Sequence, residues 1–329
     1  MSLPDSIAAV GSSTGPRFHL VGLFPSIVLF ILISLLIILW TEIPPAFPNV
    51  DSLLEGINKM DLKKLTIVFV FILVFSFLLF PFQKTIVHLY EGYWPTNKVV
   101  ARLNNYSTCC QRKKYEKAKN DGNDSFIVTY FPDRNLLPTS LGNILRASEY
   151  SINARYNFAT AEVWPRLYPL ISENLKAIID DQRNRLDVSI KFSFIFIIAT
   201  IISFVFCIGI INEALERDNG LNSVYSTDLL LNSMIKIKIA LLVLIKYLGW
   251  FVIPMLTYTL SWLFYRGALS IAISYGKGIQ VAFDLHRFDL LKKLHLDPPA
   301  DLDDEKALNG KISDFFTLHR HYNFVYTHS

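Results

Sequence analysis

Long apolar runs without Asp, Glu, Lys or Arg occur three times in this sequence, at residues 20–40, 65–82 and 192–211. A helix needs about 20 apolar residues to cross a bilayer core, because each residue rises about 1.5 Å and lipid offers the backbone no hydrogen bonds. A fourth run lies within 239–265, where Lys246 and Pro254 leave its register open. The sequence therefore predicts an all-α integral membrane protein with about four transmembrane helices.

The composition agrees with a lipid-embedded chain. Hydrophobic residues make up 52% of the sequence and charged residues 18%, whereas soluble proteins carry about a quarter charged residues. The three cysteines, Cys109, Cys110 and Cys207, include two neighbours in sequence, so they cannot form a framework of structural disulfides. This cysteine pattern fits a reducing compartment.

The distribution of positive charge predicts the orientation of the chain. With four spans, residues 1–19, 83–191 and 266–329 share one side of the membrane and hold 25 of the 32 lysines and arginines. The loops at 41–64 and 212–238 lie on the other side. Basic residues near span ends favour the cytoplasm. The sequence thus predicts an inner-membrane protein with both termini and a module at 83–191 in the cytoplasm.

The cytoplasmic module is predicted to be helical. Residues 112–125 are polar and rich in lysine, and we interpret them as a linker whose Asn-Asp-Gly-Asn-Asp sequence forms a turn or is disordered. Its Arg-Lys-Lys patch suits solvent or lipid headgroups. Thr139 or Ser140 can cap one helix. Ser172 can cap another, whose apolar spacing predicts that it continues into the third span.

Three phrases in the module and tail carry a resemblance. They are Leu-Pro-Thr-x-Leu-Gly-Asn-x-Leu-Arg-x-x-Glu at 137–149, Trp-Pro-Arg-Leu-Tyr-Pro-Leu at 164–170 and Ala-Phe-Asp-Leu-His-Arg-Phe-Asp-Leu at 282–290. In these phrases the chain resembles a family of uncharacterised bacterial multi-pass membrane proteins. The resemblance implies the topology and no chemistry. We expect the phrases to carry the fold, with Trp164 buried.

The last phrase contains the best candidate for catalysis. Asp284, His286 and Asp289 lie within two helical turns, and Asp289 can orient His286 at a spacing of three residues. No zinc, P-loop or dinucleotide motif accompanies them, so no metal or other cofactor is predicted.

Ion pairs between tail and central module are the simpler interpretation of the same carboxylates. Arg146 and Arg155 are available to Asp284 and Asp289, and Glu149 is the expected partner of Arg287. The predicted structural and interaction residues are Arg146, Glu149, Arg155, Trp164, Arg166 and Arg287.

Small and polar residues form a stripe along the third span, at Ser193, Thr200, Ser203 and Cys207. Thr257 and Ser261 do the same near the fourth. Helix packing explains both stripes, although a pore lining would use the same residue types. His88 and Glu91, at the end of the second span, could similarly mark an ion entrance or an ordinary interface.

Three functional hypotheses follow. The favoured one is a non-catalytic inner-membrane protein whose cytoplasmic helical module binds a cytoplasmic protein or a sister subunit. The first alternative is an oligomeric channel gated by that module, and the second is a membrane enzyme that uses Asp284, His286 and Asp289. The expected partners are membrane lipid and protein, including a homo-oligomer, and no specific nucleic-acid binding is expected.

Overall fold

The computed structural model describes residues 25, 27–28, 31–32, 70, 74, 82–95, 97–132, 135–222 and 248–326. The predicted amino-terminal segment at 1–19 and external loop at 41–64 lie outside these residues. So do most of the predicted spans at 20–40 and 65–82 and of the loop at 212–238.

Within these ranges the protein has eight α-helices and no β-strand, which confirms the all-α prediction. The helices are Gln83–Glu91 (α1), Lys98–Asn120 (α2), Asp124–Tyr130 (α3), Ser140–Tyr156 (α4), Thr160–Leu167 (α5), Glu173–Asn222 (α6), Val252–Lys293 (α7) and Leu302–Leu318 (α8). Short 3-10 helices occupy Tyr168–Leu170 and Leu248–Phe251.

The predicted linker at 112–125 is helical up to residue 120, so its first part is wrong, whereas the turn predicted within 120–124 is confirmed. Helix α2 continues to Asn120, because its Gln, Arg, Lys, Glu and Ala residues are all good helix formers. The turn is confined to the residues around Gly122, which has a φ of 65°. Asn123 then caps α3 by accepting a hydrogen bond of 3.1 Å from the Phe126 amide.

The first phrase, at 137–149, builds the start of α4. Thr139 caps the helix by accepting a hydrogen bond from the Gly142 amide at 3.2 Å, as the sequence predicted. Asn143 is completely buried, and its side chain bonds both the amide and the carbonyl of Leu137 at 2.7 and 3.0 Å. A Cβ atom on Gly142 would lie 1.9 Å from the carbonyl oxygen of Glu91, so only glycine allows α4 to approach the end of α1 this closely.

The described helices belong to two compact units. Among the described residues, the first unit contains 82–190 and 266–326, and the second contains 191–222 and 248–265. The core of the first unit includes fully buried Trp164, which lies beside Phe283 with ring centroids 6.1 Å apart. The middle of the chain and its tail therefore share one hydrophobic core.

In the second unit, α6 packs on α7 through aromatic and small residues. The rings of Phe192 and Phe264 stack with centroids 4.9 Å apart. A smaller cluster joins Phe206 and Cys207 to Trp250. Many of the exposed residues are large and apolar, including Ile201, Phe204, Val205, Val252, Met255, Leu256 and Leu263.

One helix in the described part of the chain is long and apolar enough to cross a membrane, where the sequence predicted four. It covers Glu173–Asn212, and its most apolar 18-residue stretch has a mean hydropathy of 3.0. Of the fourth predicted span, 239–265, the structure describes residues 248–265, and 252–265 belong to α7. Central helices of soluble proteins can have the same composition, so one such helix is weak evidence for insertion.

Candidate functional site

The tail contacts the central module through Asp284, one of the three residues in the catalytic hypothesis. Arg155 Nη1 lies 3.2 Å from Asp284 Oδ1, so Arg155 forms the ion pair that the sequence suggested for this carboxylate. The Tyr156 hydroxyl donates a second hydrogen bond, of 2.7 Å, to the same oxygen. Burial raises the pKa of Tyr156, and this bond to Asp284 raises it further. These contacts join α4 to α7.

Arg287 pairs with Glu305 and not with Glu149, so the expected partner was wrong. The distance between Arg287 Nε and Glu305 Oε1 is 2.7 Å, and both side chains are largely buried. The guanidinium also lies 4.6 Å from the centre of the Tyr156 ring. The carboxylate comes from α8, which follows α7 after a short turn and contacts α4 and α5.

The second phrase also serves the packing of the tail. Trp164 is completely buried, as predicted, and contacts Phe283 and Tyr168. The Arg166 guanidinium lies 3.8 Å from the centre of the Phe316 ring in α8. At this distance the cation interacts favourably with the aromatic face. Trp164 and Arg166 therefore have structural partners in the tail.

The proposed catalytic residues do not converge. His286 Nδ1 lies 2.9 Å from Asp289 Oδ2, which is the predicted contact at a spacing of three residues. Asp284, however, is bound to Arg155 and Tyr156. No group of three or more His, Cys, Asp or Glu residues that could hold a metal ion occurs among the residues of known placement.

A buried ion pair within the first unit was not predicted as a site. Arg183 Nε lies 3.2 Å from Asp187 Oδ1 on α6, with side-chain exposures of 7% and 1%. Tyr275 from α7 is completely buried, and its ring centre lies 5.9 Å from the Arg183 guanidinium. Glu91, at the end of α1, is also buried. Three helices thus contribute ionisable groups to one interior.

The charges in this interior act on one another. Burial of Arg183 favours its neutral form, but the Asp187 carboxylate has the opposite effect and the pKa of Arg183 is raised overall. Burial raises the pKa of Tyr275, and the Arg183 cation opposes that shift. Arg183 is therefore positively charged and Tyr275 neutral at physiological pH.

An open cleft in the first unit contains two of the predicted interaction residues, Arg146 and Glu149. Its volume is about 400 Å³, and it is lined by Pro132, Asn135, Arg146, Glu149, Tyr150, Asn153 and residues 158–161. Arg146 Nη1 donates a hydrogen bond of 2.9 Å to the Asn135 carbonyl. The cleft therefore offers a cation, a carboxylate, an aromatic ring and an amide on the rigid helix α4.

The polar stripe of the third predicted span faces α7. Ser193 and Ser261 have their hydroxyl oxygens 3.2 Å apart, and Thr200 donates to Thr257 at 2.9 Å. Ser203 and Cys207, the other two members, donate to the carbonyls of Thr200 and Trp250. Ser193, Thr200 and Cys207 therefore contact α7 or the 3-10 helix before it, whereas the Ser203 bond stays within α6.

Comparison with known proteins gives no relative: no protein-family model, curated protein or solved structure matches this chain.

Proposed function

We propose that the chain is a non-catalytic inner-membrane protein whose cytoplasmic module binds a segment of another protein, either a cytoplasmic component or a sister subunit. In this proposal the chain crosses the membrane four times with both termini inside, as in the bacterial family that its three phrases resemble. The first unit is the cytoplasmic module.

The arrangement of polar and apolar residues in the second unit supports membrane insertion. Its hydroxyl groups at Ser193, Thr200, Thr257 and Ser261 face a neighbouring helix, whereas most of its exposed residues of known placement are Ile, Val, Leu, Phe, Met, Tyr or Trp, with Thr259 as a polar exception. A soluble helix pair has the opposite arrangement, with an apolar interior and a polar exterior. Lipid accommodates such an apolar exterior.

The cleft is the single observation that carries the proposed binding. Arg146 and Glu149 supply both signs of charge, and Tyr150 adds an aromatic surface at 36% exposure. A peptide segment offers complementary carboxylates, amines and backbone amides to this set.

Photo-crosslinking of the full chain tests this binding. Benzoylphenylalanine at Tyr150 should give a discrete crosslinked product in cells that naturally make the protein. The same group at Leu302, which is 52% exposed and outside the cleft, should give none. A product at twice the chain mass of 37.7 kDa identifies a sister subunit, and any other mass identifies a different protein.

Charge reversal supplies the specificity control for the crosslinking experiment. Arg146→Glu and Glu149→Lys should each weaken the Tyr150 product, and the unchanged melting temperature of each variant would show that the module stays folded. Equal products at Tyr150 and Leu302, or none at Tyr150, would contradict binding in the cleft.

Cysteine labelling tests the proposed topology independently. In a variant without the native cysteines, an impermeant reagent added outside should label Asn49→Cys and Asn219→Cys and should miss Asn120→Cys and Ala307→Cys. The reverse pattern would refute the orientation. Positions 49 and 219 belong to the predicted external loops, and 120 and 307 to the module.

A further inference from the structure

Helix α2 carries an exposed apolar stripe along its first half. Val99, Leu103 and Tyr106 have exposures of 70%, 56% and 73%. Their spacings of four and three residues place them on one side of the helix, since neighbouring turns repeat every 3.6 residues. Large apolar side chains that expose more than half of their surface on one helix face are typical of a contact surface.

The same helix is strongly basic. Seven of its 23 residues are Lys or Arg and one, Glu116, is acidic. All seven basic side chains are exposed, and none of them makes an ion pair within the part of the chain that the structure places. Lys113 and Lys117 continue the side occupied by Val99 and Leu103, because 14 and 18 residues correspond to nearly whole numbers of turns.

The buried side of α2, roughly a quarter turn from the stripe, is fixed to α4 and the residues before it. Ser107 Oγ donates a hydrogen bond of 2.9 Å to the Pro138 carbonyl, and Gln111 Nε2 lies 3.2 Å from Ser140 Oγ. Gln111 and Ala118 are buried on this inner side. These contacts fix the orientation of α2 about its own axis. Its apolar and basic side is therefore held in an exposed position.

We propose that this outward side of α2, defined by Val99, Leu103, Tyr106, Lys113 and Lys117, binds the anionic headgroup surface of the membrane. Helices with an apolar stripe and abundant lysine lie in the interface, with the stripe at the headgroup and acyl boundary and the ammonium groups on anionic lipid. Most of the basic residues of α2 are lysines, which protein interfaces disfavour. A lipid surface is therefore the partner that matches both the apolar stripe and the lysines of α2.

The position of α2 in the sequence supports this partner. Only the nine residues of α1 and the turn at 92–97 separate α2 from residue 82, where the second predicted span ends. The nine residues of α1 extend about 14 Å. This inference rests on the proposed membrane insertion and is independent of the proposed binding in the cleft.

Depth-dependent quenching in nanodiscs tests the proposed lipid contact in the full chain. A bimane label is placed on Leu103→Cys, or on Ala101→Cys as the control, in a background with Cys109, Cys110 and Cys207 replaced. Ala101 is exposed two residues away, and therefore on the other side of α2. Discs of phosphatidylcholine alone are compared with discs containing phosphatidylglycerol, each with a lipid whose acyl chain carries a nitroxide.

The label at Leu103 should be quenched at least about twofold more than the label at Ala101 in the anionic discs. Neutral discs should reduce the difference, since each basic residue near an anionic surface contributes roughly fivefold to partitioning. The triple variant Lys113→Gln/Lys114→Gln/Lys117→Gln should also reduce the difference in quenching between the two positions. Salt at 1 M should reduce this difference too, because it screens the attraction between the lysines and the lipid. The contact with lipid is then both apolar and electrostatic.

Three results would overturn the proposal. Equal quenching at the two positions would show that the stripe does not face lipid, and quenching independent of lipid charge would exclude headgroup recognition. Protection of Leu103 that appears only at high protein-to-lipid ratio would assign the face to a second copy. Labelling of Ala307→Cys from outside would instead refute the topology. The cysteine labelling therefore distinguishes failure of the proposed topology from failure of the proposed lipid contact.

Discussion

Arg287 and Glu305 form a largely buried ion pair, with Nε and Oε1 2.7 Å apart, that joins the end of α7 to α8. Removal of either partner leaves an orphaned charge in a poorly solvated site, whereas removal of both does not. Each charge therefore depends on the other, and the pair stabilises the contact between α7 and α8.

We predict that Arg287→Met and Glu305→Gln each destabilise the module by about 3 kcal/mol, and that the double variant loses much less than the sum. Thermal melting in detergent measures the three shifts. Arg155→Met is the control, because its pair with Asp284 is more exposed and should contribute about 1 kcal/mol or less. Additive shifts at Arg287 and Glu305 would contradict the coupling.

The sequence predicted the Arg155 pair with Asp284 but not the Glu305 partner of Arg287. Arg155 and Asp284 lie on helices whose apolar spacing and caps are visible in the sequence. Glu305 reaches Arg287 because the chain turns after α7, where His295 has a φ of 57°, and α8 folds back. A positive φ is uncommon for any residue other than glycine, so the sequence does not specify this turn.

The buried pair of α6 was hidden for a different reason. Arg183 and Asp187 are four residues apart, and so are Asp181 and Arg185 on the same helix, yet the side chains of the second pair are 57% and 69% exposed. Spacing alone therefore cannot distinguish a buried pair from a solvated one. The helical part of α2 beyond residue 112 was missed similarly, because dense charge is common both in linkers and on solvated helix faces.

These two pairs make a matched experiment. We predict that Asp187→Asn costs about 3–5 kcal/mol of folding free energy, because it leaves the Arg183 cation buried without its carboxylate. Asp181→Asn should cost about 0.5 kcal/mol or less, as for other exposed pairs at this spacing. Chemical denaturation of the purified protein measures both. Similar losses for the two variants would show that the burial of Arg183 is not important for stability.

Alkaline pH should destabilise the first unit through Tyr275. Its pKa is raised by burial, so above pH 10 the unfolded chain releases a proton that the folded chain retains. The free energy of unfolding should consequently be unaffected by this group below pH 9 and should decrease as pH rises beyond 10. Tyr275→Phe should make that decrease shallower in melting curves recorded between pH 8 and 11.5. Parallel decreases in the wild type and the variant would contradict the contribution of Tyr275.

Two helical glycines should respond in opposite directions to alanine. Gly142→Ala places a methyl group 1.9 Å from the Glu91 carbonyl oxygen, so the two helices must separate at a cost of about 1–3 kcal/mol. Gly267→Ala meets no atom within 4 Å and should be neutral or stabilise α7 by up to about 1 kcal/mol. The melting temperatures of the two variants show whether each substitution stabilises or destabilises the protein. A stable Gly142→Ala variant would show that the first phrase does not require this close approach.

The hydroxyl stripe of the second unit should affect stability and not conductance. Thr200 donates to Thr257 across the two helices at 2.9 Å, and such bonds contribute about 0.6 kcal/mol on average in membrane proteins. We therefore predict that Thr200→Val lowers the melting temperature slightly. Thr259→Val should not lower it, because Thr259 is exposed and bonds only to the Met255 carbonyl of its own helix.

Current measurements on the reconstituted protein distinguish a stripe that packs two helices together from a stripe that lines a pore. If Thr200 packs against Thr257, then planar bilayers containing the wild type or Thr200→Val should show the same background current, since the hydroxyl groups are used between the helices. A pore lined by this stripe would instead lose polar groups from its wall, and its conductance would change in the variant while Thr259→Val left it unaffected. A variant that melts like the wild type and alters a protein-dependent current would reverse the assignment, because the stripe would then contact a conduction path.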